Sequence, residues 1–317
     1  MRVFVTGASG FVGGHVVSAL RARGAEVHDE RAELLDPAAL EYAFSGCDAV
    51  VHAAARYSYD DDAVGIARVN VEGTRNVIEA CIRTGVERLV YTSTAGTCGP
   101  VRGRPATEED APPAWELEVP YKRTKLEAEQ LVLAAAGPEL ETLVVNPTAP
   151  VGEGDARPTP TGRMIAGVAG GRIRGYVPTT GLNVVDVRDV AEGHALALEH
   201  GRSGTRYLLG GVDLWLEELF AVVAALAGRP RPRFRVPYAV ARAAAAVGLA
   251  NRNEVRLARL PMFFSSAKAE RELGYAPGPV EPALARAVAE HAPQPSRRRE
   301  TRRPAKATAP PTTASRT

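Results

Sequence analysis

Tyr121 and Lys125 stand four residues apart in the stretch Tyr-Lys-Arg-Thr-Lys. On a helix that spacing puts both side chains on one face, one turn apart. A phenol that exchanges a proton near neutral pH needs its pKa lowered by roughly 3 units, about 4 kcal/mol in favour of phenolate. A neighbouring ammonium supplies part of that shift. Alone, the spacing is common on helix surfaces, so its meaning rests on what lies nearby. Arg88-Leu-Val-Tyr-Thr92 reads as a strand running into Ser93-Thr94-Ala95-Gly96. Hydroxyls at such a strand end can bond a substrate oxygen beside Tyr121, or can serve only the local backbone.

A third group of residues supplies a place for phosphate. The chain opens Met1-Arg-Val-Phe-Val-Thr-Gly-Ala-Ser-Gly-Phe-Val-Gly13. An apolar run is broken by Gly7, Gly10 and Gly13 and is followed at once by an amphipathic pattern through Val12, Val16, Val17 and Leu20. Gly7 permits the tight turn, Gly10 leaves room for a pyrophosphate, and Gly13 lets the helix pack close to the sheet. The phosphates would sit on the free N–H groups of the helix start.

Elements that could position these groups follow from the hydrophobic pattern. Arg2–Val5, Ala49–His52, Arg88–Thr92 and Thr142–Asn146 are short apolar runs expected to be buried strands. Helical stretches such as Asn70–Thr84 and Tyr121–Ala136 alternate with them. That alternation predicts an α/β fold with a doubly wound parallel sheet. In such a sheet ligands lie outside the carboxyl ends of the strands, where all three groups fall. Residues 1–149 are expected to form the dinucleotide-binding domain, with segments near 183–195 returning to it. Residues 150–292, rich in Gly, Pro and Thr at first and helical over 214–228 and 239–258, are expected to be mainly a substrate lobe.

The 317 residues carry a net charge of +2, unevenly placed. Residues 293–317 hold seven Arg/Lys and one acid, a net of +6, which leaves −4 for the rest. This basic tail lacks large apolar residues and is expected to be disordered. At most it allows peripheral association with an anionic membrane surface. Nothing in the body suggests nucleic-acid binding. Cys47, Cys81 and Cys98 show no metal or disulfide spacing, so reduced thiols and a cytoplasmic location are expected, with no metal. No signal peptide or membrane span is visible.

TGASGFVG, HAAA, NVEGT, YTSTAG, YKRTK and NPTAPVG, in that order, resemble the extended short-chain dehydrogenase/reductase family over about residues 1–292. NPTAPVGEGDARPTPTGRMI, DVAEGHALALEHGRSGTRYLLGG and MFFSSAKAERELGY resemble its hopanoid-associated sugar epimerase subgroup. The resemblance implies a Rossmann-type sheet with a smaller substrate lobe, and NAD or NADP as cofactor. It implies Tyr121 as acid/base, Lys125 as the residue that holds the nicotinamide ribose and lowers the Tyr121 pKa, and Thr94 as the catalytic hydroxyl, with Ser93 as the alternative. It places Gly7, Gly10, Phe11, Val12 and Gly13 at the pyrophosphate, Arg31, Glu33 and Leu34 at the adenosine, and Ala53, Ala54, Thr92, Pro147 and Thr148 along the rest of the cofactor. Asn70 is expected to stitch neighbouring strands, and His52 to be a strand-end residue and not a base.

Two departures stand out. Gly24–Leu35 is short for the family, and either Asp29, 22 residues past Gly7, or Arg31 could discriminate NAD from NADP. Asp186 stands where the subgroup often has His. Sugar dehydratases of this fold carry an Asp-Glu pair after the catalytic Thr, whereas Thr94 is followed by Ala95-Gly96. This argues against dehydration, and the subgroup resemblance implies epimerisation of a sugar or nucleotide-sugar, in hopanoid or lipid biosynthesis. Ketone reduction of the dihydroflavonol-reductase kind is the alternative, and a non-catalytic cofactor sensor the reading from another class. Arg56, Tyr57 and Tyr59 are candidates for the substrate pocket, and Arg163, Arg172 and Arg174 for a diphosphate. A homodimer is compatible with the sequence.

Overall fold

The computed structural model describes residues 1–56 and 63–291. Tyr57, Tyr59 and the basic tail lie outside the described residues.

The first half alternates strand and helix as its apolar runs require. In order come β1 (Arg2–Thr6), α1 (Phe11–Ala22), β2 (Glu26–His28), α2 (Pro37–Phe44), β3 (Ala49–His52) and α3 (Ala63–Ala67). A π-helical turn, Arg68–Glu72, joins α3 to α4 (Gly73–Thr84). Then follow β4 (Arg88–Thr92), α5 (Pro120–Ala134) and β5 (Glu141–Pro147). The helix expected from Asn70 thus begins earlier, at Ala63.

The main sheet is six-stranded in the order β2-β1-β3-β4-β5-β9, where β9 is Arg206–Leu209, and all its pairings are parallel. The chain leaves β1 toward β2 and then crosses to β3 on the other side. That reversal opens a crevice at the carboxyl ends of β1 and β3. Consecutive apolar residues in β1 serve opposite faces. Val3 and Val5 meet α1 and α7 (Val187–His200) through Val16, Val17, Leu20 and Val190. Phe4 meets α2, α4 and α5 through Leu40, Phe44, Val77 and Val132. The sheet is covered on both faces, which is why its strands are continuous apolar runs.

The second lobe is built on a three-stranded sheet, β10-β8-β6, of Val212–Trp215, Gly181–Asp186 and Ala149–Val151. Against it pack α6 (Pro160–Ala169), α8 (Leu216–Leu226) and α12 (Glu281–His291), through Ile165, Leu219, Phe220 and Leu284. The short β7 (Gly175–Tyr176) pairs with β11 (Phe234–Arg235). The helix expected over 239–258 is two, α9 (Tyr238–Ala246) and α10 (Arg252–Leu257), because Gly248 turns left-handed between them (φ +79°). The helix expected from 214 starts at Leu216, since Leu214 and Trp215 finish β10. α11 (Ala267–Leu273) packs back on the main core through Ala269 and Leu273. Among the described residues no helix is long and apolar enough to cross a membrane.

Candidate active site

The three glycines of the first turn divide their work. Gly7 adopts φ +73°, and a Cβ there would stand 2.6 Å from the Ala54 nitrogen, so the bare turn lets β1 and β3 end side by side. A Cβ on Gly13 would lie 2.1 Å from the Gly7 carbonyl oxygen, so this glycine seats α1 on the loop. A Cβ on Gly10 would meet only the Gly7 oxygen, at 3.1 Å, and otherwise faces open space. Gly10 is also the N-cap of α1 and contributes no side-chain cap. The first-turn N–H groups of Phe11, Val12 and Gly13 therefore have no side-chain acceptor at the cap, beside a glycine that leaves room for a ligand. That arrangement fits a pyrophosphate.

On the adenosine side, Arg31 and Glu33 are exposed and paired with one another (2.7 Å), and Asp29 pairs with Arg21 (3.2 Å). Both candidates for distinguishing NAD from NADP are thus at the surface. Leu34 is buried, packs on Gly73, and accepts a hydrogen bond at its carbonyl from Asn76 Nδ2 (2.9 Å).

Tyr121 and Lys125 occupy the first two turns of α5, which begins with Pro120 at its first position. Proline is preset for that position and lacks an N–H that would go unpaired there. Both side chains are buried. Lys125 Nζ donates to the Thr92 carbonyl (2.6 Å) and sits over the Tyr91 ring, 4.2 Å from its centre. Burial pulls Lys125 down to about 7, with Glu129 pushing the other way.

The two strand-end hydroxyls part company. Ser93 is buried, and its Oγ donates to Glu129 Oε2 (2.5 Å). Thr94 caps the short 3-10 turn Ala95–Thr97 and lines a cavity of about 190 Å³. Glu129 was not singled out by sequence reasoning. It is 1% exposed and accepts from Ser93, Thr97 Oγ1 (2.7 Å), Asn146 Nδ2 (2.9 Å) and Arg206 Nη1 (2.8 Å). This hub ties β4, β5 and β9 to α5 and so fixes the Thr94 turn relative to Tyr121. An acid eight residues past Tyr121, on the same face of a helix, was the available signal.

The cavity is walled on the sheet side by Thr94, Ala95, Gly96, Lys122, Thr148 and Ala149. On the lobe side stand Pro160, Met164, Leu182, Leu216, Leu257, Ala258, Met262 and Phe264, with Thr161, Thr180, Asn183 and Glu254. Pro147 ends β5, and the buried Thr148 Oγ1 has no hydrogen-bond partner among the described residues. An unpartnered hydroxyl here, at the same carboxyl edge of the parallel sheet as the open glycine turn, fits the nicotinamide half of a dinucleotide. None of Arg163, Arg172 and Arg174 lines the cavity, and Arg163 is bound to Glu254 (2.9 Å).

His52 bonds Thr6 Oγ1 (2.7 Å) through Nδ1 and Thr74 Oγ1 (3.1 Å) through Nε2, and burial lowers it to about 3. It is a neutral strand-end residue. Asn70 stitches the Arg56 backbone (2.8 and 3.1 Å) to Thr124 of α5 (3.2 Å), a loop to a helix where two strands were expected. Asp186 caps α7 through the Arg188 N–H (3.0 Å) and pairs with Arg286, so its carboxylate serves the join to α12. The described residues contain no cluster of metal-ligating side chains.

Comparisons with known proteins identify the family. Residues 3–210 match the model of the NAD dependent epimerase/dehydratase family. The chain is 32% identical to sterol demethylase protein B of Methylococcus capsulatus, covering 91% of this chain and 98% of that protein. It is 32% identical to the 2-alkyl-3-oxoalkanoate reductase of Stenotrophomonas maltophilia, covering 87% and 95% respectively. A solved nucleoside-diphosphate-sugar epimerase from Pseudomonas aeruginosa superposes with a TM-score of 0.78 at 29% identity, covering 92% of this chain and 97% of that one. With an open glycine turn at the head of its sheet and a family match over most of its length, the chain belongs to the NAD dependent epimerase/dehydratase family of NAD(P)-dependent enzymes.

Proposed function

We propose that the protein interconverts a ketone and a secondary alcohol on a substrate with a mainly apolar body. The carrying observation is the cavity beside Thr94, whose lobe wall is mainly apolar and which no arginine lines among the described residues. A diphosphate in that cavity would meet one ammonium, that of Lys122, and none of the guanidinium partners that usually replace its lost water. An apolar body gains from the same wall, at about 25 cal/mol per Å² buried.

Bound NAD(P) supplies hydride exchange at the reacting carbon, and Gly7, Gly10, Phe11, Val12, Gly13, Ala53, Ala54, Lys125, Pro147 and Thr148 would hold it. Thr94 donates a hydrogen bond to the substrate oxygen. Tyr121 gives that oxygen its proton in reduction and removes it in oxidation. Lys125, fixed by the Thr92 carbonyl, favours the phenolate when charged. The Glu129 hub keeps Ser93 out of this role, so Thr94 carries it. Residues 1–149 form the cofactor half in this reading, and 150–292 mainly the substrate lobe.

Epimerisation of a sugar is the second reading, supported by the likeness to the Pseudomonas epimerase and by Thr161, Thr180 and Asn183 in the wall. It uses the same residues twice, in opposite directions. Incubation with NADH or NADPH and a panel of ketones decides between them. Stoichiometric consumption of reduced cofactor supports the proposal. An inverted sugar formed with no net change in cofactor, and inert ketones, would replace it with the second reading.

A further inference from the structure

We infer that Lys122 and Glu116 form a subsite for a second acceptor oxygen of the substrate, a carboxylate or oxo group close to the reacting carbon. The inference rests on the proposed function only in taking the cavity beside Thr94 as the substrate cavity.

Lys122 follows Tyr121 directly, yet it is 4% exposed and lines the cavity. It reaches across Gly96, where a Cβ would lie 1.9 Å from its Nζ and 2.7 Å from its Cδ and Cε. The glycine two residues past Thr94 is therefore what admits this ammonium. Glu116, fully buried, is its counter-charge at 3.7 Å, beyond hydrogen-bond range. Neither Glu116 oxygen has a hydrogen-bond partner among the described residues.

Burying two charges costs several kcal/mol each unless hydrogen bonds replace the lost water. The same helix shows what a structural pair looks like. Glu129 and Arg206 touch at 2.8 Å, and Glu129 accepts from three further donors. The Lys122–Glu116 pair instead stands 3.7 Å apart, with both Glu116 oxygens unpartnered and Lys122 at a cavity wall. Among the described lining residues Lys122 is the one cation, and the acid Glu254 is engaged with Arg163. An anionic or carbonyl oxygen entering beside Thr94 has this ammonium as its charged partner. Burial already pushes Glu116 up to about 7, with Lys122 opposing. Glu116 can thus take a proton when a carboxylate arrives, so two anions need not share one cation.

The test is binding of unreactive probes to the full chain, with and without NAD(P)⁺, by calorimetry. Nonanoate, nonanamide and 1-nonanol share one alkyl chain and differ in the head group. The parent protein should bind at least one of nonanoate and nonanamide roughly tenfold or more tighter than nonanol. Preference for nonanoate alone identifies a carboxylate, and equal preference for the amide identifies a neutral oxo group. Lys122→Met should erase the preference while leaving nonanol binding within about twofold, and Lys122→Arg should retain it. No preference in the parent, or a preference that survives Lys122→Met, overturns the subsite. NAD(P)⁺ affinity measured on the same samples reports folding and the cofactor site. Loss of NAD(P)⁺ binding by the parent would count against the proposed function, whereas intact cofactor binding without head-group preference would remove the subsite alone.

Discussion

Gly10→Ala and Gly13→Ala should separate two roles that lie three residues apart. At Gly13 the new Cβ would stand 2.1 Å from the Gly7 carbonyl oxygen, where a carbon–oxygen contact needs about 3.3 Å. Both partners are backbone, so α1 must retreat by about 1 Å. Val16, Val17 and Leu20 on that helix belong to the main core and move with it. Overpacking of this kind costs roughly 1–3 kcal/mol, and the upper end applies because neither side can rotate away. Alanine returns about 1 kcal/mol of helix propensity. The net loss is about 2 kcal/mol, or a fall in Tm of roughly 3 °C for a chain of 317 residues. At Gly10 the backbone (φ −86°, ψ 168°) suits alanine, and the Cβ meets only one atom at 3.1 Å. Apo stability should stay within about 1 kcal/mol, since reduced unfolded-state entropy offsets a poorer cap. That Cβ stands on the open side, so NAD(P) affinity should fall at least tenfold. Melting of the apo protein and calorimetry with NAD and NADP measure both effects. Parental cofactor affinity in Gly10→Ala, or parental melting in Gly13→Ala, refutes the division.

Tyr121→Phe should lower turnover by about two orders of magnitude or more and leave cofactor affinity nearly unchanged; turnover near the parent's would take Tyr121 out of the reaction. Glu129→Ala takes the carboxylate from half-buried Arg206, which keeps the Glu108 and Asp110 carbonyls, and one acceptor from three other donors, and should cost about 3 kcal/mol in urea titrations. A loss under 1 kcal/mol would mean the hub is not structural. His52 and His194 are lowered by burial to about 3 and about 4. Unfolded, each titrates near 6.5, so the folded state binds fewer protons below that pH and stability falls as pH drops. The loss should be roughly 2 kcal/mol per histidine by pH 5. His194→Gln should flatten the dependence of the urea midpoint on pH, and an unaltered slope would contradict this assignment.

What could be read in advance was whatever is local along the chain. The glycine turn, the strand runs and the Tyr121/Lys125 spacing each lie within one short segment, so residue type and period are enough to find them. The groups that complete the site meet across the fold. Glu129 gathers Ser93, Asn146 and Arg206 from three strands or strand ends, and their sequence positions give no hint of convergence. Lys122 reads as a solvated lysine until Gly96 is seen to make room for it. Asp186 looked anomalous at a strand end and proved to cap the next helix. The break between α9 and α10 was missed because an alanine-rich run hides the one glycine that takes a left-handed turn.

The parallel sheet also sets the order in which the chain can finish itself during synthesis. One face is closed early, because α2, α4 and α5 all precede β5. The other face has only α1 until α7 is made, and β5 keeps a bare hydrogen-bonding edge until β9 pairs with it. Through the whole interval in which β6, α6 and β8 leave the ribosome, the nascent main sheet exposes an apolar surface and an unpaired strand. Such surfaces invite mispairing and draw chaperones. The second lobe is thus inserted into the first one's folding, and a pause in translation before residue 187 would hold the sheet at its most aggregation-prone stage.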